Sequence, residues 1–265
     1  MYLCGEAELA IGDPQAKQRS RQYFAQASRQ CISLSVLSKL VRELDANGVD
    51  NGDNHDEDDT LGRECIANLY GAITRWGFHG TRFRDKMAEG AGHLAEDEHR
   101  RFHQGLEFLG RLLGWESIRP TNDGDPDCVW TIGHDLYVTL EAKSEQKQDG
   151  KIGKGDVQQA VGHVDWVREH LNPAEDARVF AVIVTSREKP AVSAKPHADG
   201  LHHMSPAAIR ELGARAITAV EGIRNRVAGV DEHEAFAIIR QKLSHGDLMP
   251  DDIVALLTAT AVTDL

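Results

Sequence analysis

Cysteine is scarce in this chain, and long apolar runs are absent from it. The four cysteines, Cys4, Cys31, Cys65 and Cys128, lie far apart and form no CxxC pair, which argues against a structural zinc site and for a reducing compartment. No apolar stretch approaches the roughly 20 residues that a helix needs to cross a bilayer. The first fifteen residues carry acids where a signal peptide needs a basic start. We therefore expect a cytoplasmic protein without a membrane partner.

Three common functional motifs are missing as well. The sequence contains no Walker loop, no GxGxxG and no HExxH, which argues against ATPases, dinucleotide-binding enzymes and zincins, respectively. The 265 residues, of which 41% are hydrophobic, suffice for one large domain or for one core with a smaller helical unit. A helical pattern over residues 14–45 and another over 61–76 place helices in the N-terminal third.

Positive charge is in deficit, with a net charge of −12. Residues 50–59 (DNGDNHDEDD) supply half of this excess of negative charge. No EF-hand spacing fits them, because the position of the final bidentate Glu is not acidic. We expect a solvated, mobile loop there, with a charge-mimicking interaction tail as the alternative.

The charge balance reverses after residue 142. Lys143, Lys147, Lys151 and Lys154 recur every three to four residues among three glycines, and a flexible basic loop of this kind can follow a phosphate backbone. Lys147, Lys151 and Lys154 are therefore candidate nucleic-acid-binding residues. For Lys147 and Lys151 the alternative is an ordinary lysine-rich surface loop, whereas Lys154 lies nearer the start of the following helix.

Residues 126–143 (PDCVWTIGHDLYVTLEAK) carry the most specific signal in the chain. They are typical of two adjacent strands, the first of which begins at Pro126 and Asp127. Alternation in the second strand sends Glu141 and Lys143 to one face and Ala142 to the other. If the strands pair as a hairpin, Asp127 lies beside them, and two carboxylates and an ammonium converge where a hard divalent cation can bind.

The flanking segments predict a particular order of elements. Apolar spacing predicts an amphipathic helix over 100–115, ended by Gly114, and a second helix over 156–171. Residues 116–119 are expected to form a short strand, and the apolar run 178–186 is typical of a strand buried on both faces. The predicted order is helix, three strands, helix, strand.

This pattern resembles the PD-(D/E)xK nuclease superfamily, which includes type II restriction enzymes and Holliday junction resolvases. Pro126, Asp127, Glu141 and Lys143 carry the resemblance, with Ala142 as the small residue between. It implies an α/β fold with a restriction-endonuclease-like αβββαβ core and a mixed central sheet. That core is expected at 93–204, flanked by a helical N-terminal region at 1–92 and by C-terminal helices at 205–265.

The resemblance also implies a chemistry. It predicts a nuclease that depends on Mg²⁺, with Mn²⁺ as a substitute, and that acts on DNA in preference to RNA, in restriction, defence or repair. Asp127 and Glu141 would be metal ligands together with the Ala142 carbonyl. Lys143 would position the attacking water or help to deprotonate it, and would offset charge on the scissile phosphate.

Two further catalytic candidates follow from the same resemblance. Gln158, or its neighbour Gln159, lies where some relatives have a glutamine that lines the site. Those relatives often have a tyrosine four residues later, where this chain has Gly162 or His163. Glu107 is the candidate for the extra acid that many members bring from the first helix.

Other interpretations of the same residues stay open. Asp127 can simply begin a turn, since the preceding residues favour one, and Glu141 and Lys143 can be a solvated pair on an edge strand. The fold can also serve as a catalytically silent module that binds nucleic acid or docks a partner. A third hypothesis is the nuclease subunit of a larger helicase-linked complex, acting with a protein partner or as a homo-oligomer.

Overall fold

Five strands form one open sheet, which carries the candidate site. The computed structural model describes residues 60–265, together with the single residue Tyr23. In chain order and in spatial order, the strands are Glu116–Ile118 (β1), Cys128–Ile132 (β2), Leu136–Lys143 (β3), Arg178–Thr185 (β4) and Leu201–Met204 (β5). Strands β1, β2 and β3 pair with one another in antiparallel fashion, whereas the β3–β4 and β4–β5 pairs are parallel. The sheet is therefore mixed, as the sequence predicts.

Helices cover both faces of this sheet. The described part of the chain has seven α-helices: Thr60–Trp76 (α1), Arg82–Ala95 (α2), His99–Leu112 (α3), Lys154–His170 (α4), Pro206–Val227 (α5), Glu232–His245 (α6) and Pro250–Leu257 (α7). On one face, Trp130, Val138 and Leu140 pack in a single apolar cluster with every helix except α4. On the other face, α4 packs against Ala181 and Ile183. This arrangement confirms the predicted α/β class.

The element order also agrees with the sequence prediction. Helix α3, strands β1 to β3, helix α4 and strand β4 follow one another as expected, because each has the apolar spacing of its type. Helices α1 and α2 share the large apolar cluster with α3 and α5, and residues 59–265 form one compact unit.

Helix α2 is longer than its sequence suggests. The stretch 77–92, which contains several glycines, predicts a linker with at most a short helix, whereas the structure has fourteen helical residues from Arg82 to Ala95. Close packing explains one of these glycines, Gly90, and also Gly105 in the neighbouring α3. A Cβ on Gly90 would collide with the ring of Phe108, and one on Gly105 of α3 would collide with Leu94. Tertiary contact thus outweighs the weak helix propensity of glycine.

Helix α3 ends where the sequence predicts, at Gly114. This residue has φ +81°, a left-handed conformation that L side chains rarely adopt, and a Cβ there would collide with the carbonyl oxygen of Cys65. The glycine lets the chain turn directly from α3 into β1.

Replacing Gly114 with Ala is expected to lower the free energy of unfolding by roughly 2–4 kcal/mol, because backbone strain and a collision add together. Urea unfolding followed by circular dichroism measures the change. Gly92 of α2 is a suitable control, since a Cβ there meets open space. Gly92→Ala should stabilise the protein by roughly 0.5–1 kcal/mol. Equal stabilities for the two variants would contradict the prediction.

Some sequence predictions lie outside the described residues. They are the helical pattern over 14–45, the acidic run 50–59, Cys4 and Cys31. Cys65 and Cys128 are buried free thiols, and Cys128 lies in the large apolar cluster, which confirms its predicted packing role. Within residues 60–265, no helix has the length and apolar character needed to span a membrane.

Candidate functional site

The hairpin of β2 and β3 brings together the three residues of the sequence motif. Asp127 immediately precedes β2, and the pairing of Cys128 with Leu140 places it opposite Glu141. The Ala142 amide donates a hydrogen bond to Asp127 Oδ2 at 2.7 Å. Lys143 Nζ lies 2.6 Å from Glu141 Oε1. Two carboxylates and an ammonium therefore share one corner of the sheet.

Glu141 is a buried carboxylate with a partner on each oxygen. Its side chain is only 1% exposed. While Oε1 contacts Lys143, Oε2 accepts a hydrogen bond of 2.8 Å from Nε2 of His163 on α4, which is 2% exposed. Burial alone would raise the pKa of Glu141, but the hydrogen bonds from His163 and Lys143 outweigh it, so the pKa falls below its usual value. Glu141 is therefore ionised at neutral pH.

Lys143 is held as a cation. Burial by itself would lower its pKa, but the hydrogen bond to Glu141 and the charges of Glu141 and Asp127 raise the pKa above its usual value. Its side chain is 25% exposed, so a substrate can reach it. In this arrangement Lys143 is a source of positive charge and a hydrogen-bond donor rather than a base.

Asp127 is the residue of the site whose ionisation is opposed by its surroundings. Burial, and then the charge of Glu141, raise its pKa from 3.8 to about 6. The Ala142 amide and Lys143 act in the opposite direction without cancelling these effects. One ammonium thus serves two carboxylates, and additional positive charge near Asp127 would be stabilised.

His103 on α3 is a site residue that the motif does not include. Its Nδ1 lies 3.4 Å from Asp127 Oδ1. Burial, followed by the nearby His99 and Arg119, lowers its pKa from 6.5 to about 4, so the ring is neutral at physiological pH. Nε2 is buried and has no hydrogen-bond partner among the described residues. The sequence signal that could have identified His103 is its spacing of four residues from both His99 and Glu107, which places all three on one helix face.

A cleft of about 570 Å³ opens beside these residues. Its lining comes from α3, the residue before β2, the end of β3, the loop that follows and the segment after β4. It includes the basic residues Lys143, Lys147 and Arg187 and the acids Asp127, Glu145 and Asp149. The lining thus carries charges of both signs, and Glu141, which is not itself part of it, lies directly behind Lys143.

The glycines of the loop that follows β3 predict a flexible segment. In the structure, however, this loop is anchored by several hydrogen bonds. The Gln146 side chain donates to Asp156 Oδ2 at 3.2 Å and accepts from Thr185 Oγ1 at 3.0 Å. Ser144 Oγ donates to the Asp97 carbonyl at 2.7 Å. Further along the loop, Ile152 forms a β-bridge with the segment after β4. These contacts fix the rim of the cleft.

The predicted lysines differ in position. Lys147 lines the cleft. Lys151 and Lys154 are exposed and do not belong to its lining. Contact of Lys151 and Lys154 with nucleic acid therefore stays a prediction, and it would take place outside the cleft.

The two additional catalytic candidates lie outside the lining of the cleft. Gln158 is exposed on α4. Glu107 is 2.6 Å from Arg111 and 3.5 Å from Arg119, so its charge is already neutralised. His163 instead provides the α4 contact, four residues after Gln159 and on the same helix face. From the sequence alone, His163 is identified only as a residue that stands where some relatives have a tyrosine. The hydrogen bond between His163 and Glu141 is not predicted by any local pattern.

The donor set at the cleft is compatible with Mg²⁺. Carboxylate oxygens of Asp127 and Glu141 and the carbonyl of Ala142 are hard oxygen ligands, and Mg²⁺ uses one or two carboxylates while keeping several waters. Within residues 60–265, no group of three or more His, Cys, Asp or Glu side chains is placed to hold a metal ion, so a cage made of protein ligands alone is not part of this region. The excess negative charge at Asp127 favours a cation bound mainly by oxygen and water.

Comparison of the chain with protein-family models, with curated proteins and with solved structures finds no match. The functional assignment accordingly depends on the geometry and electrostatics of the site.

Proposed function

We propose that this protein is a Mg²⁺-dependent nuclease of the PD-(D/E)xK type that hydrolyses phosphodiester bonds in DNA. The observation that carries the proposal is the meeting of Asp127, Glu141 and Lys143 beside an open cleft, which Asp127 and Lys143 line. The order α3, β1, β2, β3, α4, β4 supports a restriction-endonuclease-like core, since that superfamily has the same order of elements.

Each residue has a role that its environment supports. Glu141, held by His163, keeps its negative charge at neutral pH, and Asp127 is largely ionised above pH 6. When bound by these oxygens, Mg²⁺ would supply Lewis-acid stabilisation of phosphate oxygens and a more acidic water. Lys143 can leave Glu141 Oε1 and donate to a phosphate oxygen, where its charge offsets that of the pentavalent transition state.

The surroundings of the cleft favour a polymeric phosphate over a small one. The cleft is open to solvent and its lining includes Lys147 and Arg187, and Lys151 and Lys154, which follow Lys147 in the chain, are exposed. Cations in such a series suit successive phosphates of a nucleic-acid backbone.

Cleavage assays test this proposal directly. The parent protein should cut supercoiled plasmid, linear duplex or single-stranded DNA with Mg²⁺ or Mn²⁺ and not with EDTA. Lys143→Met should reduce the rate by about 10²–10³-fold while the protein remains folded. Lys86 provides a matched control, since its Nζ also pairs with a glutamate, Glu89, at 2.8 Å, but on the exposed side of α2. Lys86→Met should cleave like the parent, and a Lys143→Met variant of full activity would refute the site assignment.

A catalytically silent binding module is the second candidate. It is favoured by one observation, namely that both oxygens of Glu141 are occupied by protein groups. In that case the parent protein should bind DNA equally well with EDTA and with Mg²⁺, and should release no product from any of the three substrates.

A further inference from the structure

A second partly buried cation lines the cleft and takes no part in the bond-breaking step proposed above. Arg187 lies two residues after the end of β4, lines the cleft and is partly buried. Among the described residues, no Asp or Glu lies within ion-pair distance of its guanidinium. Partial burial removes some of the hydration of this guanidinium, and no protein anion within residues 60–265 compensates for the loss.

The guanidinium of Arg187 is nevertheless held in place. Nη1 donates to the carbonyl of Lys151 at 2.9 Å. The backbone amide of Arg187 donates to Thr185 Oγ1 at 3.2 Å, and this hydroxyl bonds in turn to Gln146. Nε is buried without an acceptor. The side chain is therefore positioned before any ligand arrives.

Gly150 forms the support beneath this side chain. A Cβ on Gly150 would collide with Nε, Cζ and Nη2 of Arg187, so the guanidinium lies directly against the glycine backbone. The φ of Gly150 is outside the left-handed region, and its backbone conformation is open to other residues. The absence of a side chain at this position thus serves the placement of Arg187.

Neighbouring acids do not neutralise Arg187. Glu145 at the rim contacts His99, accepting from its backbone amide at 3.1 Å and lying 3.6 Å from Nδ1. Asp149, also at the rim, is exposed to solvent. The Nη2 group donates no hydrogen bond within residues 60–265, which leaves one edge of the fork for a ligand.

We propose that Arg187, supported by Gly150, binds a backbone phosphate of the substrate next to the phosphate that Lys143 contacts. A planar guanidinium matches the oxygens of a phosphodiester in geometry and charge, which a lysine does not. This inference rests on the proposed nuclease function, and it assigns Arg187 to substrate binding rather than to the bond-breaking step.

Binding measurements in EDTA test the inference without cleavage. Fluorescent duplex and single-stranded oligonucleotides are titrated with the protein over a series of salt concentrations. Arg187→Gln should weaken binding by about 10-fold and should reduce the slope of log K against log salt by about 0.9 on duplex or about 0.7 on single strands. In cleavage, KM should rise while kcat changes little. Arg187→Lys should keep the slope and lose affinity.

Gly150→Ala separates position from charge. It leaves the arginine and its charge in the chain but displaces the guanidinium, so affinity should fall, though by less than in Arg187→Gln. Gly155→Ala is the matched control, because a Cβ at Gly155 meets open space, and it should bind like the parent. Arg168→Gln, which removes an exposed arginine paired with Asp165 on α4, controls for loss of one charge.

The outcomes distinguish this inference from the function on which it rests. If the parent cleaves DNA and Arg187→Gln binds with the parent's affinity and salt slope, the inference is wrong and the nuclease stands. Normal binding by Gly150→Ala would equally refute the supporting role of the glycine. If the parent neither binds nor cleaves any of the nucleic acids, the proposed function fails and the inference fails with it.

Discussion

Replacing Asp127 with Asn is expected to stabilise the protein in EDTA and at the same time to abolish its metal-dependent cleavage of DNA. The carboxylate lies in a partly buried site beside the ionised Glu141, and both burial and that charge oppose its ionisation. An amide removes the charge, while its oxygen can still accept the hydrogen bond from the Ala142 backbone. The same charge is needed to bind a cation, so cleavage should fall by more than about 10³-fold.

The stabilisation should depend on pH in a defined direction. The pKa of Asp127 is raised from 3.8 in the unfolded chain to about 6 in the folded protein, which corresponds to about 3 kcal/mol when the group is fully ionised. The protonated carboxyl favours the folded state below pH 4, and this advantage is lost as the pH rises through 6. Asp127→Asn should therefore exceed the parent in stability by roughly 1–3 kcal/mol at pH 7.5, and the difference should shrink towards pH 4.

Urea unfolding in EDTA at pH 7.5, 6 and 4.5 measures this difference. Asp123, an exposed residue of the same loop, provides the control, since Asp123→Asn should leave both stability and cleavage unchanged. Addition of Mg²⁺ should raise the melting temperature of the parent and not that of Asp127→Asn. A variant less stable than the parent at pH 7.5 would contradict the electrostatic description of the site.

Local sequence pattern was sufficient to predict the pairing at the centre of the site. Alternation along β3 fixes Glu141 and Lys143 on one face, and the short hairpin between β2 and β3 limits where Asp127 can lie. Both depend on residues fewer than twenty positions apart, where strand geometry alone determines the neighbours.

The other site residues depend on tertiary packing, which no local pattern encodes. His103 reaches Asp127 because α3 crosses the sheet, and Arg187 reaches the rim because the end of β4 lies beside the loop after β3. Strand β5 was missed for the same reason. Its four residues, LHHM, show no apolar strand pattern, and they are held by parallel pairing with β4 and by a bridge between His202 and Ala261.

His163 is the residue whose replacement should have the second large effect, through its bond to Glu141. Both side chains are almost fully buried, and Nε2 donates to Oε2 at 2.8 Å. In His163→Leu, one oxygen of a buried carboxylate loses its partner, which should cost roughly 2–4 kcal/mol of unfolding free energy. Glu141 would also be free to rotate away from the cation position. Loss of such an orienting partner typically weakens metal affinity by about 10–100-fold.

His163→Gln separates the two consequences. The side-chain amide of glutamine can place a donor near the position of Nε2, so this variant should recover most of the stability and of the cation affinity. His233, an exposed histidine of α6, supplies the control, and His233→Leu should behave like the parent. Mn²⁺ binding is measured by calorimetry well below the melting temperature of each variant, so that differences in stability do not enter.

A positioning role and a purely structural role make different predictions for this series. If His163 only fills space, Leu and Gln should bind Mn²⁺ equally well, with affinities close to that of the parent. If His163 orients Glu141, the affinity for Mn²⁺ should decrease with the loss of the hydrogen bond, in the order parent, His163→Gln, His163→Leu. At saturating Mn²⁺, the leucine variant should then regain part of its lost kcat. Cation affinity unchanged in His163→Leu would show that Glu141 keeps its orientation through Lys143 alone, and the bond across α4 and β3 would then contribute to stability only.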